Sequence, residues 1–196
     1  CILWDGQQLH GLNASGCAPA AWSPEYFARK LGAGATKLPM RGWDGVTVPG
    51  AVAGWAALSS KFGKLPFADL MAPAIEIAER GYIVPVVIGD KWAAAAQVDE
   101  LVRQPGFAQT FLPHGRAPPV GELFRMPGAA RALRLIAESQ GEAYYRGEIA
   151  QAMATQAQAQ GGAHRFADFA NYRPEWVTPL AKDYRGVTLH EIPPNG

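Results

Sequence analysis

Residues 48–55 read Val48-Pro49-Gly50-Ala51-Val52-Ala53-Gly54-Trp55, an extended entry running into a helix start that carries two glycines. Val52, Trp55, Ser59 and Phe62 recur at helical spacing and Gly63 supplies a stop, so a helix ending at Phe62 is expected, with those four on one face. Gly50 and Gly54 lie one turn apart. Lacking a Cβ, they let another backbone approach this end of the helix closely.

Upstream, Leu12-Asn13-Ala14-Ser15-Gly16-Cys17-Ala18-Pro19-Ala20 contains nothing large enough to build a core. Such a turn either joins two elements or presents backbone N–H groups and short side chains to a ligand. Before it, Ile2-Leu3-Trp4 and Gln8–Leu12 flank Asp5-Gly6, a favoured hairpin turn. After it, Ser23-Pro24-Glu25 marks a helix start: serine caps, proline suits the first helical position, and glutamate suits the positive end of the dipole. That helix should stop at Gly32. The segment from Gly32 to Gly45 is a loop, and its Gly32-Ala33-Gly34-Ala35-Thr36-Lys37 lacks Walker spacing and reads as a connector.

Downstream, Leu70, Ala74, Ile77 and Ala78 make an apolar helical stripe within Pro66–Arg80, which Pro73 should kink or divide. Further helical patterns cover Val87–Arg103, Ala129–Ser139 and Gly147–Gln158, with Gln151–Gln160 read as an exposed helix. Phe166-Ala167-Asp168-Phe169 adds one helical turn. A second hairpin is expected from Pro179–Lys182 and Val187–Ile192 around Asp183-Tyr184-Arg185-Gly186. This order predicts one domain over residues 1–196, an α-rich α/β or α+β unit with short antiparallel strands near both ends and no regular βα alternation.

The bulk composition narrows the partners. The chain is 48% hydrophobic and 18% charged with a formal net charge of +1, and its Lys and Arg residues are scattered, which opposes nucleic acid or an anionic membrane as partner. The longest apolar runs are too short for a membrane span. The chain opens at Cys1 inside one strand pattern and closes after another, and is therefore read as an internal piece of a longer polypeptide, with any targeting segment upstream.

Residue chemistry alone assembles no complete active site. Cys1 and Cys17 make neither a disulfide framework nor a metal site, and His10, His114, His164 and His190 show no ligand spacing, so no metal is expected. Cys1 has the residue type of an N-terminal nucleophile, but within a strand pattern it reads as a small buried hydrophobe. Glu76 and Glu79 read as a solvated helix face, and Asp168 as a dipole partner of the helix it opens.

The order of motifs adds a resemblance. Asn13–Pro19, Val48–Gly54, Phe62-Gly63-Lys64-Leu65-Pro66, Pro73–Gly81, Ala143-Tyr144-Tyr145-Arg146-Gly147, and Tyr184-Arg185-Gly186 before Pro193-Pro194-Asn195-Gly196 together resemble the γ-glutamyltranspeptidase family across nearly the whole chain. The resemblance implies an αββα N-terminal nucleophile hydrolase, made as one precursor that cuts itself into a large and a small subunit. The threonine freed at the start of the small subunit is the nucleophile. Residues 1–196 would then be the central to C-terminal part of the large subunit, inactive alone. The catalytic threonine would lie outside the chain, no cofactor would be needed, and the partners would be a small-molecule amide and the missing small subunit.

In that family the turn before Ala-Pro carries an arginine that pairs with the α-carboxylate of the γ-glutamyl group, and counting back from Ala18-Pro19 puts Ser15 in its place. A hydroxyl cannot replace a bidentate, permanently charged fork. An Asn-Ala-Ser-Gly turn is more similar to the branch that hydrolyses other amides, including oxamate amidohydrolases and relatives of cephalosporin acylases. Asn13 and Ser15 are thus the candidate substrate-binding residues, meeting a small polar acyl group with an amide and a hydroxyl. The alternatives are that both only shape the turn, and that the whole protein is a degenerate, non-catalytic relative with a structural or partner-binding role. The family has exported and cytoplasmic members, so the compartment stays open between cytoplasm and periplasm. Surface normally covered by the small subunit would be bared in this piece, which is expected to self-associate or to be marginally stable.

Overall fold

Asp5 and Gly6 make the first reversal of the chain, joining β1 (Ile2–Trp4) to β2 (Leu9–Asn13) in antiparallel register, Ile2 opposite Gly11 and Trp4 opposite Leu9. The Asp5 carboxylate accepts from the backbone N–H groups of Gln7 and Gln8, each at 2.8 Å, while Gly6 takes φ +101°. The Gln8 N–H, then His10 and the Gln7 N–H, hold the Asp5 carboxyl at about 2. The computed structural model describes residues 1–194; Asn195 and Gly196, which end the last of the sequence motifs, lie outside the described residues.

Helix α1 (Pro24–Leu31) begins as its sequence directs: the Ser23 hydroxyl accepts from the Tyr26 N–H at 3.1 Å, and Gly32 ends it at φ +94°. A loop with one 3-10 turn at Trp43–Gly45 leads to α2 (Ala51–Phe62). The buried face of α2 carries Val52 and Gly54, whereas Trp55, expected on the same stripe as Val52, is 44% exposed. Small side chains rather than the largest one face inward, because a neighbouring backbone occupies that side.

Helix α3 (Phe67–Arg80) is continuous, so Pro73 does not divide it. Proline inside a helix costs about 3 kcal/mol, and here flanking packing offsets the loss: the Met126 N–H donates to Ala78 O at 2.8 Å and α7, described below, lies alongside. After β3 (Tyr82–Ile83), the expected long helix over 87–103 is two, α4 (Val86–Ala95) and α5 (Asp99–Val102). The N–H groups of Gln97 and Val98 turn to the carbonyls three residues back, tightening the chain out of the helix before Asp99 starts the next.

A short α6 (Phe107–Phe111), a 3-10 turn at Pro113–Gly115 and β4 (Leu123–Phe124), which pairs antiparallel with β3, precede α7 (Pro127–Glu138). Then come α8 (Glu142–Arg146), α9 (Glu148–Ala159) and α10 (Phe166–Ala170). Helix α9 is not exposed all round, as Gln151–Gln160 had suggested: Ala150, Ala154 and Ala157 are fully buried along one face. Alanine at that spacing allows close helix contact, while the glutamines keep the other face wet. The main core gathers Val48, Val52, Phe67, Ile136, Tyr145, Ala150, Ala154, Phe169 and Tyr172 where α2, α3 and α7 to α10 meet. Complete burial of the Phe169 ring contributes about 2–3 kcal/mol.

Strand β5 (Glu175–Val177) returns to the first hairpin and pairs with the free edge of β2, Leu12 opposite Trp176, giving a sheet ordered β1-β2-β5. Three residues are too few to show alternation, so this strand was not legible in the sequence. The expected second hairpin is β6 (Leu180–Tyr184) with β7 (Val187–Glu191), turned by Arg185 at φ +49° and Gly186 at φ +83°. All its strand residues are exposed. The mixed, α-rich architecture with antiparallel strands toward both ends agrees with the sequence reading, and no helix among the described residues is long and apolar enough to cross a membrane.

His164 is fully buried, edge-on to Trp43 and Trp22 and stacked on Phe169, with its Nε2 2.7 Å from Val46 O. Burial lowers its pKa from the usual 6.5 despite the bond to Val46. The unfolded chain therefore binds a proton in a pH range where the folded one does not. Stability is complete above pH 6.5 and is lost as the pH falls from there toward the folded value, at up to about 1.4 kcal/mol per pH unit for one proton. Urea unfolding between pH 5 and 8 should show this limb, and His164→Phe should flatten it; an equally steep limb in a folded variant would assign the effect to another group.

Candidate functional site

Asn13 closes β2, and its Oδ1 accepts from the Ser15 N–H at 3.0 Å. This bond folds residues 13–15 into an Asx turn, so Asn13 shapes the backbone on which Ser15 is displayed. Asn13 is half-buried, and Ser15, Cys17 and Ala18 are exposed.

The inner side of the turn rests on the start of α2, and glycines make the fit. A Cβ at Gly50 would lie 1.9 Å from Ala14 O, one at Gly54 would lie 2.8 Å from Ala14 Cβ, and one at Gly16 would lie 1.7 Å from Val48 O. The close approach expected at Gly50 and Gly54 is thus present, made by backbone at Gly50 and by the Ala14 side chain at Gly54, both from the Asn13–Pro19 turn. Beside it, the Val48 N–H donates to Cys17 O at 2.9 Å.

Two buried tyrosines reinforce the contact. The Tyr172 hydroxyl donates to Ser15 O at 3.1 Å, and its ring stacks on Tyr145 with centroids 5.4 Å apart. The Tyr145 hydroxyl donates to Pro49 O at 2.8 Å and accepts from the Ala53 N–H at 3.0 Å, bracing the first turn of α2. Burial raises the pKa of both phenols, so both stay protonated and keep donating. On the far side, Asp168 accepts from the N–H groups of Arg165 at 2.7 Å and Ala20 at 2.9 Å. It is a helix-start partner, as its position suggested, and it also anchors the end of the turn.

The other sequence candidates lie elsewhere. Cys1 is exposed, not buried: its backbone pairs with Leu12 at the outer edge of the sheet, where its thiol meets solvent. Glu76 and Glu79 form exposed ion pairs with Arg80 and Arg134, a solvated face as read. His10 is buried between Phe62 and Trp176, 2.7 Å from Asp5 Oδ2, and Lys61 lies over Trp176. His164 fills the separate site described above, His114 sits in the second 3-10 turn, and His190 lies on β7. Among the described residues no three His, Cys, Asp or Glu side chains cluster in a way that could hold a metal.

The structure therefore brings Asn13 and Ser15 together on one rigid turn and separates Cys1, Glu76 and Glu79 from it. The supporting roles of Tyr172 and Asp168 were missed, because no local pattern marks a side chain whose partner lies about 150 residues away; Tyr145 at least stood within a motif. Chemically, the turn carries a hydroxyl, an amide and backbone groups. It offers no nucleophile paired with a base.

A model of the family described as gamma-glutamyltranspeptidase matches residues 1–196. The chain is 35% identical over 174 residues to the glutathione hydrolase-like YwrD proenzyme of Bacillus subtilis, covering 88% of this chain and 33% of that one. It is 34% identical over 189 residues to the oxamate amidohydrolase proenzyme of Klebsiella pneumoniae, covering 93% and 34%. The crystal structure of cephalosporin acylase from Bacillus halodurans superposes with a TM-score of 0.92 at 43% identity, covering 99% of this chain and 37% of that one. The chain thus spans about a third of the length of the curated relatives it matches.

Proposed function

This chain belongs to the γ-glutamyltranspeptidase family, and on that footing we propose that its parent protein is a self-processing amidohydrolase with a preference for acyl groups other than γ-glutamyl. In the proposed reaction a threonine outside these 196 residues attacks the amide carbonyl, the amine leaves, and the acyl group passes from the threonine oxygen to water or to another amine. The role of residues 1–196 is to hold one wall of the acyl site. A small subunit, released from the same precursor, supplies the nucleophile and packs against this piece. The exposed β6–β7 ribbon, with Leu180, Tyr184, Val187 and Leu189 each more than half exposed, is one surface such a partner would cover. Without it, that ribbon favours self-association.

The observation that carries the reading is the turn at Asn13–Pro19. It is clamped by Gly16, Gly50, Gly54 and Tyr172 and displays Ser15 on its exposed side; counting back from Ala18-Pro19 matches Ser15 to the family's carboxylate-binding arginine. A neutral hydroxyl there suits an acyl group that lacks the α-carboxylate of γ-glutamyl at the far end of its carbon chain. The oxamate amidohydrolase and cephalosporin acylase names of similar proteins support an acyl group other than γ-glutamyl, though not an uncharged one, since oxamate carries a carboxylate directly on its scissile carbonyl. The same serine also motivates the second reading, a non-catalytic relative, because decay of an active site can begin at substrate contacts.

One experiment separates the two. The full-length gene product is expressed, incubated overnight and weighed intact. We expect two fragments, the smaller beginning with threonine, and then faster turnover of oxamate or N-acyl cephalosporins than of γ-glutamyl amides. A single uncut chain in a folded sample would overturn the amidohydrolase in favour of the non-catalytic relative.

A further inference from the structure

An apolar cavity of about 600 Å³ lies between α3, α4 and α6, and no residue of the Asn13–Pro19 turn lines it. Its volume is that of a small-molecule site, for which about 300–1,000 Å³ is usual. The cavity exists because α3 presents small residues there, Ala74 and Ala78, opposite a wall of aromatic rings.

That wall is fastened in place. The Trp92 ring meets Phe124 edge-on at 4.7 Å between centroids, and its indole N–H donates to Phe111 O at 2.7 Å, tying α6 across α4. A Cβ at Gly89 would lie 2.6 Å from the Val120 side chain, so α4 is also seated against the segment before β4. Ile77 and Ile88 nonetheless remain 54% and 42% exposed. Exposed apolar side chains mark an interaction surface, and here they stand on a concave wall whose volume suits a small ligand.

The charge pattern narrows the ligand. Lys91 is the one charged side chain lining the cavity, no carboxylate lines it, and Lys91 has no ion-pair partner among the described residues. The Trp92 donor is already engaged. Lys91 is exposed, so water already solvates its ammonium; a carboxylate there gains a charge-assisted contact, and a cation would meet repulsion.

We propose that this cavity binds an amphipathic monocarboxylate, an alkyl or aryl body of about eight to ten carbons between α3 and the Trp92–Phe124 wall, with its carboxylate at Lys91. Neither the turn nor the processing chemistry enters into this site, so it stands or falls separately from the proposed amidohydrolase.

The test is calorimetric titration of the full-length protein with sodium octanoate, 4-phenylbutyrate and neutral 1-octanol. Saturable binding of one carboxylate per chain is expected, tighter than that of 1-octanol; whichever carboxylate binds better identifies the body as alkyl or aryl. Lys91→Met should weaken carboxylate binding about three- to tenfold, as a partly exposed charge-assisted contact allows, and leave 1-octanol within about twofold. Ala78→Trp should fill the cavity and abolish binding of all three; if that variant does not fold, the Lys91→Met comparison decides alone. Absence of saturable binding, equal affinity for octanoate and 1-octanol, or carboxylate binding indifferent to Lys91→Met would each overturn the site.

Discussion

Replacing Gly16 with alanine is expected to destabilise the protein by about 2–4 kcal/mol, far more than the addition of one methyl group to a surface turn would suggest. The new Cβ would stand 1.7 Å from Val48 O and 2.8 Å from Thr47 Oγ1. The atom in the way is backbone, so no rotamer change relieves the clash. Relief requires the turn to lift from the start of α2, which breaks the bond from the Val48 N–H to Cys17 O and strains that from Tyr172 to Ser15 O. Overpacking costs about 1–3 kcal/mol and one lost hydrogen bond about 1 kcal/mol more. Gly34→Ala is the matched control, since nothing lies within 4 Å of its Cβ position, and it should be neutral or slightly stabilising. Denaturant midpoints of the two variants measure the difference. Equal midpoints would mean that the turn is not clamped as described.

Ser15→Arg is expected to move acyl preference toward γ-glutamyl amides by about 10- to 100-fold. A hydrogen-bonded charge contact is worth about 1.5–3 kcal/mol, and an arginine fork matches a carboxylate in two parallel bonds. Ser15 is exposed on its turn, so the longer side chain enters without displacing core residues. The measured quantity is the ratio of kcat/KM for a γ-glutamyl amide to that for the analogue lacking the α-carboxylate, in the processed enzyme. A rise confined to the γ-glutamyl substrate supports Ser15 as an acyl contact. An unchanged ratio in a folded, processed variant removes Ser15 from the site and leaves Asn13 and Ser15 as turn formers.

Legibility in the sequence followed the range of the interactions. The capped start of α1 at Ser23, the Arg185-Gly186 reversal and the glycine pair of α2 are local signals, readable because the residue type and its backbone requirement sit at the same position. Boundaries failed where tertiary contacts outweighed local preference. Pro73 stays within one helix because α7 supports it, and α9 turns an alanine face inward that composition had read as exposed. Asn13 and Ser15 were singled out as candidates through the order of motifs along the chain. The residues that brace them, Tyr172 and Asp168, carried no signal, because each acts only across a fold already formed.

Family membership and the mixed α-rich class were both present in the order of residues alone, since each depends on which residue stands at which position. The pairing of β5 with β2, the inward face of α2 and the cavity beside Lys91 were decided only when distant segments met. Close packing couples such segments through atoms a few ångströms apart in space but far apart in sequence, so no local pattern encodes them.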